Sequence, residues 1–364
     1  MRTGTANLPL HGGAAPRWLF QRMTALAREI ARLIVEAYGP HDLLLRLADP
    51  FWFQSLGCVL GFDWHSSGVT TTTCGALKEG LKGLEGELGV FVCGGKGATS
   101  RKTPQMIEDH AARHSIARDP AELVYASRIS AKVDSAAVQD GYQLYHHTFV
   151  FTRAGDWSVV QQGMSDANRC ARRYHWISEG LESYVNEPHS AICAQNREPQ
   201  VLNMVARDSE QSRRTTALLS RERPQAIARE IEKMQSLTLP RRHQLLVRDL
   251  RPASVERILL KTYERPPGDF EALLGASGVG AKTIRALALV AELVHGVEAS
   301  WRDPAQFAFA HGGKDGHPFP VDRPTYDHSI EVLREAVNRA RIGDRDRMEA
   351  LRRLARFQTP RRSS

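Results

Sequence analysis

Two histidines stand side by side at His146 and His147, with Asp134 and Asp140 a few residues upstream. Carboxylates and imidazoles at this density can ligate a divalent cation such as Mg2+ or Mn2+, which would activate water and stabilise charge on a phosphodiester. Asp63 and His65, directly after the apolar Val59-Leu60-Gly61-Phe62 stretch that reads as a strand, are further ligand candidates. The metal set is therefore Asp63, Asp134, His146 and His147, with Asp134, Asp140 and His147 as catalytic groups. The competing reading is structural: one histidine faces solvent and its neighbour is hydrogen-bonded in the core.

The elements that must position these groups can be read from the pattern around them. Ile129–Asp134 reads as a strand or a helix end and Asp140-Gly141 as a turn. Tyr142–Thr152 and Trp157–Met164 read as two strands joined by Arg153-Ala154-Gly155-Asp156. Closing that hairpin on a four-residue turn pairs His147 with Gln162 and Thr148 with Gln161, polar groups where a strand usually carries Val, Ile or Tyr. Ser165 is a candidate cap for a helix carrying Arg169, Arg172, Arg173, Tyr174, His175 and Trp176. Basic and aromatic residues interleaved in this way suit phosphate neutralisation and stacking, so Arg172 and Arg173 are nucleic-acid contacts on this reading. The alternative is a solvated basic face with the aromatics in the core. Upstream, Gly94-Gly95-Lys96-Gly97 can wrap a phosphate with backbone N–H groups and Lys96, but its spacing is not that of a nucleotide-binding loop.

A second site lies in the last third of the chain, at Gly278-Val279-Gly280-Ala281-Lys282-Thr283-Ile284-Arg285. Apolar residues Phe270, Leu273 and Leu274 precede it, and Ile284, Leu287, Ala288, Ala291 and Val294 follow at helical spacing. Glycines at 278 and 280 free the turn from Cβ and let a ligand approach the backbone. The next helix then starts with unpaired N–H groups beside Lys282 and Arg285, an arrangement suited to phosphate. An ordinary turn between helices is the plainer alternative.

This stretch resembles the helix-hairpin-helix motif, which grips the DNA backbone through the turn formed here by Gly278, Val279, Gly280, Lys282, Thr283 and Arg285. Together with Val321-Asp322 downstream it resembles the helix-hairpin-helix base-excision glycosylases. That resemblance implies Lys282 as a Schiff-base nucleophile and Asp322 as the catalytic aspartate. Arg323-Pro324 replaces the family's usual Thr-His, Val297–Pro318 looks like an insertion, and no four-cysteine run follows, so no iron–sulfur cluster is expected. Over nearly the full length, Thr3-Gly4-Thr5-Ala6-Asn7-Leu8-Pro9-Leu10-His11-Gly12-Gly13 and Gln161-Gln162-Gly163-Met164 resemble a prokaryotic domain-of-unknown-function family, number 763. Association with DNA processing and nuclease activity is what that resemblance implies.

The bulk composition fits. The chain has 364 residues, 42% hydrophobic and 25% charged, with net charge +8, an ordinary globular balance leaning toward a polyanion partner. Its five cysteines are widely spaced, so neither a disulfide framework nor a zinc ribbon is indicated. No apolar leader or long apolar run is present, and a cytoplasmic protein without a membrane partner is expected. Pro16 opens a helix to about Tyr38, with Leu19, Met23, Leu26, Ile30, Leu33 and Ile34 on one face. Shorter helices are expected at Leu43–Leu47, Ala76–Leu88, Gln225–Gln235, Arg241–Val247 and Ser254–Lys261, and a short strand at Gly89–Cys93.

The expected fold is an α+β N-terminal domain (1–205) with a small antiparallel or mixed sheet, a polar linker (206–224), an all-α helix-hairpin-helix domain (225–350) and a basic tail (351–364). Three functions fit this outline. The favoured one is a divalent-metal-dependent DNA nuclease. The second is a glycosylase or abasic-site lyase using Lys282 and Asp322. The third is a non-catalytic DNA-binding accessory. DNA is the expected partner, with other DNA-repair proteins such as a helicase and self-association also compatible, and no nucleotide cofactor is expected.

Overall fold

The structure, a computed structural model, describes residues 17–61, 68–166, 170–194, 197–238, 247–306 and 323–358. Asp63, His65, Asp322, the N-terminal Gly/Pro-rich stretch and the Arg241–Val247 helix fall wholly or largely outside them.

A five-stranded antiparallel sheet is the centre of the molecule. Its order is β1 (Val90–Lys96), β3 (Gln143–Thr152), β4 (Trp157–Met164), β5 (Ala171–Ile177) and β6 (Ala191–Cys193). A separate two-stranded ribbon pairs β2 (Val138–Gln139) with β7 (Leu202–Asn203). Both faces of the main sheet are covered by helices. One face carries Val90, Val92, Val150 and Val160 against α1 (Arg17–Tyr38), α2 (Pro40–Ala48), α3 (Pro50–Leu60) and α4 (Gly68–Leu81). The other carries Phe91, Phe149, Phe151, Trp157, Val159 and Trp176 against α6 (Thr103–Arg113) and α7 (Pro120–Lys132), with α5 (Glu85–Leu88) leading into β1.

The second core does not stop at the sheet. It runs without a break into α8 (Glu210–Leu219), α9 (Pro224–Ser236), α10 (Pro252–Glu264), α11 (Phe270–Gly275) and α12 (Ala281–His295). The polar 206–224 stretch is therefore packed. Ser209, Ser212, Arg213 and Thr216 are buried, and the Arg213 guanidinium donates to the carbonyls of Met204 and Ala206. The last helices, α13 (Arg323–Arg339) and α14 (Asp344–Gln358), return to the opposite face, where Leu333, Val337 and Leu354 join the α1–α4 core.

Several local expectations are corrected. Val59 and Leu60, expected in a strand, end the helix α3: Asp49 caps it by accepting from the Phe51 and Trp52 amides, and burial on every side gives α3 no polar face to mark its period. Ala171–Ile177 is strand β5 and not part of a helix after Ser165. The β3–β4 register differs by one residue. His147 lies opposite Gln161, His146 opposite Gln162 and Thr148 opposite Val160. The turn closes on Thr152 and Asp156, leaving three loop residues, and Gly155 takes φ +93, a conformation that L side chains rarely adopt.

Candidate nucleic-acid interface and the buried polar network

The polar strand residues form separate networks distributed over both faces of the sheet. On the α7 face, His147 Nδ1 meets Gln161 Oε1 at 2.9 Å and His147 Nε2 meets Ser127 Oγ at 2.8 Å. The carboxylate of Asp134 can only accept, so the Gln161 amide nitrogen turns to it and presents its oxygen to His147. Nδ1 of His147 is then the donor, and Nε2 accepts from the Ser127 hydroxyl. Asp134 also accepts from Trp176 Nε1 at 3.0 Å and from His189 Nε2. Asp134 sits in a π-helical turn, Val133–Ala137, that joins α7 to β2. Burial holds the His147 imidazole below its ordinary value, against the pull of Gln161 and Asp134.

The carboxylate of Asp140 belongs to a different set on the same face. It accepts from Arg172 Nη1 at 3.0 Å and Tyr174 Oη at 2.6 Å. Arg172, 0% exposed, makes a second, two-pronged pair with Asp303 at 2.9 and 2.6 Å. Burial pushes the Asp140 carboxyl up to about 6, with Arg172 and the Tyr174 hydroxyl pulling it back. On the opposite face, His146 Nε2 meets Thr148 Oγ1 at 2.9 Å, and burial, His147 and Lys96 push its imidazole down to about 3. Arg173 lies there too, donating to His175 Nε2 at 2.8 Å and Gln54 Oε1 at 3.0 Å over the Phe53 ring.

These positions correct the expected site. Asp134 and His147 share a network, but His146 points to the other side of the sheet and Asp140 pairs with arginine. Among the described residues no three His, Cys, Asp or Glu side chains converge as metal ligands. Neither histidine faces solvent, because both sheet faces are covered. Arg172 and Arg173 are buried strand residues held by internal partners, so they are not placed to contact a phosphate. Lys96 is exposed, with its Nζ 5.9 Å over the Tyr145 ring. Gly94, Gly95 and Lys96, expected in a loop, are the end of strand β1, paired with Thr148, His147 and His146, and Gly94, Gly95 and Gly97 all have positive φ.

The Gly278–Gly280 turn joins helices α11 and α12. Asp269 caps α11 by accepting from the Ala272 amide. The turn closes with Val279 N–H on the Ala276 carbonyl at 3.2 Å, and Gly278 sits at φ +88, as the third position of a type II turn requires. Gly280 follows in extended conformation as the N-cap of α12, with no side-chain cap and no atom within 4 Å of where a Cβ would stand. Gly278 and Lys282 are exposed, whereas the Val279 and Thr283 side chains are core, correcting their place among the contact residues. Two side chains fasten the turn from behind. Lys132 Nζ donates to the Val279 carbonyl, and Gln139 Nε2 to that of Ala281 at 2.8 Å. In front, Asp249 pairs with Lys282 at 3.4 Å and Arg285 at 2.5 Å.

Lys132, Gln139, Asp249, Ser127, His189 and Asp303 were not legible as site residues. Their roles arise from contacts between segments far apart in the chain. Among the described residues no single helix is long and apolar enough to cross a membrane. No curated protein and no solved structure matches the chain. One family model does, over residues 4–321, and the chain accordingly belongs to the family described as a protein of unknown function, DUF763.

Proposed function

We propose that the protein binds nucleic acid, DNA foremost, by seating a backbone phosphate in the turn between α11 and α12. The carrying observation is the turn itself: an exposed Gly278 and a Gly280 without steric neighbours open a 15-residue helix that no side chain caps. The first N–H groups of such a helix and its positive dipole end suit an anion. Lys282 and Arg285 add charge beside it, and the net charge of +8 favours a polyanion. The resemblance of Gly278–Arg285 to the helix-hairpin-helix motif supports the same reading. Lys282 is exposed and ion-paired with the Asp249 carboxylate, so the amine a lyase would use is already engaged. Asp134 and Asp140 are committed to separate buried partners. Binding is accordingly the function proposed for this site.

Gly280→Asp is the test. The backbone at 280 is extended and its Cβ direction is open, so aspartate fits and, as an N-cap, holds or slightly raises the melting temperature. The same carboxylate fills the phosphate position. Affinity for a labelled DNA duplex, read by fluorescence anisotropy, is expected to fall at least about tenfold, the scale of losing a charge-assisted contact. Unchanged affinity in a well-folded Gly280→Asp protein would remove the hairpin from the interface.

A further inference from the structure

The two cations of the proposed phosphate site are not vacant in the free protein. Arg285 Nη2 donates to Asp249 Oδ1 at 2.5 Å, and Lys282 Nζ lies 3.4 Å from Asp249 Oδ2 and 3.3 Å from the Asp249 carbonyl. One carboxylate thus bridges both charged side chains that flank the helix start. The Arg285 side chain is only 15% exposed, and its buried Nε–H has no hydrogen-bond partner among the described residues. Asp249 itself is half exposed, while its neighbours Val247 and Leu250 are buried, so the backbone is anchored and the carboxylate can swing clear without moving it. Arg248 and Arg251, both exposed, flank it in sequence. Asp249 thus stands between two arginines in sequence and rests on the two cations beside the turn.

We propose that Asp249 holds the place of a nucleic-acid phosphate on Lys282 and Arg285, so that binding exchanges an internal carboxylate for a backbone phosphodiester. A carboxylate and a phosphate each offer two oxygens to a guanidinium in the same forked geometry, and both satisfy an ammonium. The exchange replaces one ion pair by another, so the cost of breaking the internal pair sets the affinity ceiling. It also sets selectivity, since a lone carboxylate ligand gains nothing over Asp249 while a phosphodiester continuing into the helix N–H groups does. The proposal rests on the nucleic-acid reading of the hairpin and names the residue that regulates it.

The test uses the full chain and a short fluorescein-labelled DNA duplex. Asp249→Asn keeps the side-chain shape and removes the competing charge. Affinity is expected to rise roughly two- to fivefold, the scale of an exposed ion pair. Glu87→Gln, an exposed carboxylate on α5 where it packs near α1 and β1, makes the same change in net charge and is expected to give a smaller gain. In an Arg285→Gln background the gain from Asp249→Asn is expected to shrink or vanish, as coupling through one site demands. Equal or weaker binding by Asp249→Asn, or an equal gain from Glu87→Gln, overturns the exchange. Should that occur while Gly280→Asp still loses affinity, the hairpin interface survives; if Gly280→Asp also binds normally, both fall together.

Discussion

Arg172 shows how far a residue's type can mislead about its surroundings. In sequence it belongs to a basic, aromatic run; in the fold its guanidinium lies wholly inside, neutralised by Asp140 on one side and Asp303 on the other. Asp303 also accepts from the Glu198 and Ala305 amides, so this one triad ties β5 to two later segments. Replacing Arg172 with methionine leaves two buried carboxylates facing each other. A loss of about 3–5 kcal/mol is expected, measured by urea denaturation. A change below about 1 kcal/mol would mean the triad is not buried as described. Gly94 is the other residue whose identity is fixed. Its φ is +88, and a Cβ would lie 2.2 Å from the His147 carbonyl oxygen. Gly94→Ala should therefore cost about 2 kcal/mol or more through strain and backbone displacement, seen as a lowered melting temperature.

At the scale of elements, the hairpin is an outwork of the sheet. The π-helical turn that carries Asp134 also ends in the segment from which Gln139 reaches the Ala281 carbonyl, and α7 supplies Lys132 to the Val279 carbonyl. Asp134 in turn is fixed by Gln161, Trp176 and His189 from β4, β5 and the loop after it. The polar groups of the sheet thus act as a scaffold that sets the angle of the turn. Lys132→Met keeps the half-buried stem and removes the bond to Val279. It should weaken duplex binding several-fold while changing the melting temperature little. Full-strength binding by that variant would show that the turn keeps its shape without the lysine.

The whole molecule is organised in layers that cut across the chain. Residues from α6 to α12 share one core with one sheet face, and α1 to α4 share the other with the last two helices. Because the sheet contributes to both, urea unfolding followed by tryptophan fluorescence and by far-ultraviolet circular dichroism should give coincident single transitions. Two separated transitions would instead favour independent N- and C-terminal units. The buried imidazoles set the acid side. Burial lowers His146, His147 and His175 below their unfolded value of 6.5, so the unfolded chain takes up protons first as pH falls. The raised Asp140 carboxyl works in the opposite sense, but three imidazoles outweigh one carboxyl, so stability declines on balance through the window from 6.5 towards about 3, where His146 itself titrates. A midpoint urea concentration that stays level between neutral pH and pH 5 would contradict this.

What could be read before folding was whatever depends on near neighbours. The apolar stripe of α1, the strand–turn–strand rhythm around Gly155 and the glycine-pinched turn at 278–280 are all local patterns, and helical or extended periodicity survives in them. Residues in α3 and β5 escaped that logic. A helix buried on all sides has no polar face to mark its period, and a strand containing Arg172 and Arg173 looks like surface until its partners arrive. Those partners are the decisive matter. Gln54 is 119 residues from Arg173 in sequence, Asp303 is 131 from Arg172, and Asp249 is 36 from Arg285. Which charges are buried, which histidines stay neutral and which acid rests on the hairpin are fixed by long-range contacts, because an ionic group's energy depends on the solvent it loses and the counter-charge it meets. Only the assembled tertiary structure specifies those.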